Sequence, residues 1–119
     1  MNQAVRTLVA AIILLCVSGC TDDHSVQVTD VAKSETIVLK QNAGSGAVIG
    51  ISISGAGSVD GEATISLILN GESYKTERLN GGVNFRWDAE WYAENAEIRY
   101  EAINVKAGEL IIEYSFSEM

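Results

Sequence analysis

The sequence predicts an antiparallel β-sandwich of seven or eight strands, with a small barrel as the alternative closure. Three observations lead there. Apolar and polar residues alternate at period two in one segment after another, Asn-Gly pairs and glycine clusters punctuate those segments, and no window after residue 20 holds a convincing helical period. With 119 residues the chain has room for one domain.

Taken in order, the first element is an export signal. Arg6 precedes the apolar run at 8–17 (LVAAIILLCV), which is followed by the small residues Ser18 and Gly19. Ten residues of helix span about 15 Å, half the hydrocarbon layer, so a stable transmembrane helix is not expected. Residues 20–34 read as a polar tether, with Val26, Val28 and Val31 marking a first edge strand, and residues 35–119 read as the sandwich.

The strands follow from the alternation. They are Thr36 to Lys40; Ile49, Ile51 and Ile53; Ala63, Ile65, Leu67 and Leu69; Val83, Phe85 and Trp87; Ile98, Tyr100 and Ala102; and Leu110, Ile112, Tyr114 and Phe116. Asn70-Gly71 and Asn80-Gly81 each suit a two-residue hairpin turn, because both central positions need positive φ. Residues 104–108 connect the last two strands. Gly50 suggests a bulge, and residues 55–61 are expected to form a mobile loop.

Val17-Ser18-Gly19-Cys20 resembles the lipobox of bacterial lipoproteins: an apolar residue, two small ones and a cysteine. The resemblance implies cleavage before Cys20, a diacylglycerol thioether on its thiol and acylation of the new amine. Two or more acyl chains anchor stably where one binds marginally. Thr21, rather than Asp, follows the cysteine, which by the family's sorting rule implies the outer membrane, with the domain facing the periplasm. With Cys16 removed and Cys20 acylated, no disulfide is expected. The stretch from Trp91-Tyr92 through Tyr100 and residues 104–108 to Phe116 also resembles the ending of small secreted bacterial β-proteins of unassigned function, and implies no activity.

Composition excludes several functions. Sixteen acidic residues stand against eight basic, a formal charge of −8 that becomes −9 when Arg6 leaves with the signal, so nucleic acid is not an expected partner. The lone His24 sits in the tether, where it cannot serve a hydrolytic triad, and no cysteine-histidine cluster has zinc-ligand spacing. The glycine clusters lack the strand-to-helix setting of a phosphate loop. No enzyme activity, cofactor or metal is expected.

What remains is the acidic segment 88–95 (DAEWYAEN). It breaks the regular strand spacing and has room for one helical turn. If extended, its adjacent aromatics point to opposite faces, so at least one of Trp91 and Tyr92 is expected to approach the surface. Asp88, Glu90 and Glu94 surround these two rings, and the five residues form the candidate contact for a partner or ligand. The expected function is a non-catalytic, lipid-anchored envelope protein that binds another protein or supports an envelope assembly. A carbohydrate-binding module is the first alternative, and a periplasmic inhibitor or immunity-type protein the second.

Overall fold

A computed structural model describes residues 24–41 and 46–119. The signal segment, the lipobox and Cys20 lie outside the described residues, as do Gly44 and Ser45.

The described residues form a curled antiparallel sheet of six strands: β1 (His24–Gln27), β2 (Glu35–Lys40), β3 (Val48–Leu69), β4 (Glu72–Glu90), β5 (Asn95–Ala102) and β6 (Gly108–Glu118). The order is β1-β6-β3-β5-β2, with β4 on the other side of β3. The expected seven or eight strands are therefore corrected to six. Two of them, β3 with 22 residues and β4 with 19, are long enough to run through both halves of the fold.

The residues expected to separate shorter strands instead bend continuous ones. Residues 55–61 are part of β3 rather than a loop. Asn80-Gly81 lies within β4 rather than in a hairpin; Gly81 takes a φ of 86°, opposite Val59. Between the pairs Val59↔Gly81 and Glu62↔Asn80 the register shifts by two extra residues on β3, and both strands turn together. Residues 103–107 fasten this bend. Ile103 and Asn104 donate N–H to Glu62 O, Lys106 donates to Asp60 O, and Glu62 N donates to Asn104 Oδ1 at 2.8 Å.

The partners of β3 change at the bend. Before it β3 pairs with β6, and after it with β5, so β5 and β6 lie end to end along β3. In the same way β1 pairs with β6 and β2 with β5. Divided at the bend, the sheet reads β1-β6-β3-β4 in one half and β2-β5-β3-β4 in the other, the winding of a jelly roll. The expected Asn70-Gly71 turn is present, with φ of 55° and 81°, and joins β3 to β4 at the end away from the bend.

One core holds the halves together. Ile51, Ile53, Phe85, Trp87, Leu110 and Ile112 from one half share a buried cluster with Ile65, Leu67, Leu79, Ile98, Tyr100, Ile37 and Leu39 from the other. Val28 and Val31, in the segment that crosses from β1 to β2, belong to the same cluster. Each buried Leu or Ile contributes about 1.5–3 kcal/mol of transfer free energy. Alternation predicted these inward positions except near the strand ends. Register shifts at Val48/Gly50 and Leu67/Ile68 leave Ile49 40% and Leu69 39% exposed.

Candidate functional site

The strand ends opposite the bend form an open end. There β3 begins and ends, β4 begins and ends, β5 starts and β6 finishes. The candidate segment 88–95 lies here as the last residues of β4, a connection at 91–94 and the first residue of β5; it contains no helical turn.

Trp91 and Tyr92 separate cleanly. Trp91 is only 6% exposed and belongs to the core cluster. Its backbone N–H donates to Ile49 O at 3.3 Å, and its indole Nε1 donates to Asn95 O at 2.9 Å, which satisfies the polar edge of a buried ring. Tyr92, one residue on, is 71% exposed. The alternation of an extended chain sends adjacent side chains to opposite sides.

Between the halves at this end lies an open, largely apolar cleft of about 480 Å³, lined by Leu69, Tyr74, Glu90, Trp91, Tyr92 and Ala93. Three of the five predicted contact residues thus meet in one place: Glu90, Trp91 and Tyr92. Tyr74 and Leu69, supplied by the β3–β4 hairpin, were not anticipated. Their one sequence signal was that both flank the Asn70-Gly71 turn, and only the doubling of the sheet brings that turn beside residue 92. Tyr74 is 46% exposed and carries Lys75 Nζ 5.4 Å from its ring centroid. The charge of Glu90 holds the Tyr92 phenol above its ordinary pKa, with burial and a hydrogen bond to Glu90 adding to the shift.

Asp88 and Glu94 lie outside the cleft lining. The Asp88 carboxylate is on the outer face, where it accepts hydrogen bonds from the Ser52 hydroxyl and from Arg86, the latter an ion pair at 3.1 Å. These bonds hold its pKa below the usual carboxylate range, Arg86 first and Ser52 second. Ser52 and Arg86, but not Asp88, line a shallow groove of about 120 Å³ with Ser54, Glu113 and Ser115. Glu94 is exposed, and its carbonyl accepts Gln41 N–H at 2.9 Å. His24 stacks on Tyr114, ring centroids 5.1 Å apart. Among the described residues no group of three His, Cys, Asp or Glu side chains is placed to hold a metal ion.

No protein-family model and no curated protein sequence matches the chain. Among solved structures it is similar to the crystal structure of PirA, at 14% identity and a TM-score of 0.50, over 85% of this chain and 99% of that one. It is also similar to a subunit of Bacillus endospore appendages described as disulfide-linked pili (13% identity, TM-score 0.47, 84% and 96%). A third similar structure is described under "CBM4 structure and function" (13% identity, TM-score 0.45, 80% and 71%). At 14% identity the likeness to the first of these is one of fold.

Proposed function

We propose that the chain is a non-catalytic binding module of the bacterial envelope, held on the membrane by lipid at Cys20, and that it engages its ligand through the open-end cleft. One observation carries the choice of site. The cleft brings exposed Tyr74 and Tyr92 together with Trp91, whose ring is buried in the core, so apolar rings are presented side by side at the open end. A protein or other envelope component is the ligand class of the main reading. Carbohydrate is the second, favoured by the Tyr92 ring standing beside the Glu90 carboxylate, a stacking face next to a hydrogen-bond acceptor.

The test is in-cell photocrosslinking from a benzoylphenylalanine placed at Tyr92, with the same probe at Ile103, on the bend, as control. Discrete adducts from position 92 and none from 103 support the cleft as the contact site. Equal labelling from both positions counts against it. A glycan array, read for wild type and Tyr92→Ala, decides the carbohydrate reading. Anchoring has its own test: Cys20→Ala is expected to accumulate as unprocessed precursor, and normal maturation of that variant refutes lipidation.

A further inference from the structure

We infer that the open end of the fold faces the bilayer, and that the rim of the cleft rests on the zwitterionic headgroup layer of the membrane carrying the lipid anchor. This rests on the proposed acylation of Cys20, and the headgroup layer is then the envelope component that the cleft rim meets.

The direction of β1 supplies the first argument. His24 pairs with Tyr114 and Gln27 with Ile111, so β1 enters from the open end and runs toward the bend. From Tyr114, β6 continues four residues further in the opposite direction, reaching Glu118 opposite Val48 at the open-end rim. The chain from Cys20 to His24 spans at most about 14 Å, close to the rise of those four β6 residues. A lipid on Cys20 therefore has no slack to put the bend next to the membrane while the open end points away.

The distribution of exposed apolar side chains supplies the second. Ile49, Leu69, Tyr74 and Tyr92 are exposed at the open end, whereas Ile103 is the exposed large apolar residue on the bend among the described residues. Tyrosine suits the boundary between headgroups and acyl chains, its ring apolar and its hydroxyl wet.

Charge selects the type of surface. Glu72, Glu90 and Glu94 lie at this end, and none of them is in an ion pair among the described residues; Lys40 and Lys75 are the basic groups nearby. An excess of carboxylates opposes an anionic surface, so a zwitterionic headgroup layer is the occupant that fits.

The test uses the acylated protein reconstituted in phosphatidylcholine vesicles. An environment-sensitive maleimide dye is attached at Ala93→Cys beside the cleft, or at Ile103→Cys on the bend, and vesicles containing headgroup-spin-labelled lipid quench it. Loss of most of the fluorescence at position 93 and little at 103 is expected, with the contrast reduced in vesicles rich in phosphatidylglycerol. Equal quenching at both positions, or more at 103, overturns the inference. A contrast that survives Leu69→Ser with Tyr92→Ser overturns the rim contact, because the tether alone would then set the orientation. A wild-type protein that itself takes up the dye has a free Cys20 thiol, and then the anchoring reading fails instead.

Discussion

The Tyr100 hydroxyl donates to the backbone carbonyl of Val31 at 2.6 Å, tying the centre of β5 to the segment that carries the chain from one half of the sheet to the other. Tyr100 is fully buried, so the bond also satisfies a phenol that would otherwise be an orphan in the core. Tyr100→Phe leaves the Val31 carbonyl without this partner. Chemical denaturation should show a loss of about 1–3 kcal/mol.

The same residue makes a pH prediction. Burial first, and the charge of Asp30 second, raise the Tyr100 phenol above its ordinary value. The folded state thus holds this proton more tightly than the unfolded state, and the resulting stability is complete below the unfolded value of about 10 and falls as pH rises through it. Alkaline titration of the melting temperature should show that fall, and Tyr100→Phe should flatten it in part. Tyr114, also raised by burial, and Tyr92, raised by the charge of Glu90, contribute to the remainder.

At the bend, Gly61 and Gly81 should respond differently to alanine. Both have positive φ, 135° and 86°. A Cβ on Gly61 would collide with the Asn104 carbonyl, whereas one on Gly81 meets nothing within 4 Å. Gly81→Ala is expected to cost only the backbone strain, about 1–2 kcal/mol. Gly61→Ala should cost clearly more, and a smaller loss than for Gly81→Ala would contradict this account of the bend.

Trp91 and Tyr92 separate stability from contact. Trp91→Ala opens a core cavity and is expected to lose about 3–5 kcal/mol. Tyr92→Ala, at a site 71% exposed, should change stability by less than about 0.5 kcal/mol. Paired unfolding curves check both numbers. Tyr92 is accordingly the residue with which to probe binding, since any effect of Trp91→Ala would be mixed with unfolding.

Asp88 should titrate below an ordinary aspartate. Its folded value is depressed, so its contribution to stability is present above the unfolded value of about 3.9 and lost as pH falls through the folded one. Carboxyl carbon NMR should show the midpoint moving up in Arg86→Ala and, by less, in Ser52→Ala.

Much of the inner face could be read from the alternation. Ile51 and Ile53, Ile65 and Leu67, Phe85 and Trp87, Ile98 and Tyr100, and Leu110 and Ile112 all fall inside as their spacing requires. The prediction failed at Ile49 and Leu69, where a register shift one or two residues away moves a side chain outward. Half of the cleft was legible, because Glu90, Trp91 and Tyr92 are sequence neighbours. Tyr74 and Leu69 lie some twenty residues earlier in the chain, and no local pattern brings them to the same end.

By itself the sequence determined the all-β character, the inward phase of most strands and the Asn70-Gly71 turn, because alternation and positive φ are properties of adjacent residues. Only the tertiary structure decided that Asn80-Gly81 bends a strand instead of ending it. The dipeptides are the same, but Asn80-Gly81 faces a β3 segment with two extra residues, pinned by hydrogen bonds to residues 103–107. Whether an Asn-Gly pair reverses the chain or merely curves it depends on whether a paired strand continues beside it, and that is settled by long-range pairing.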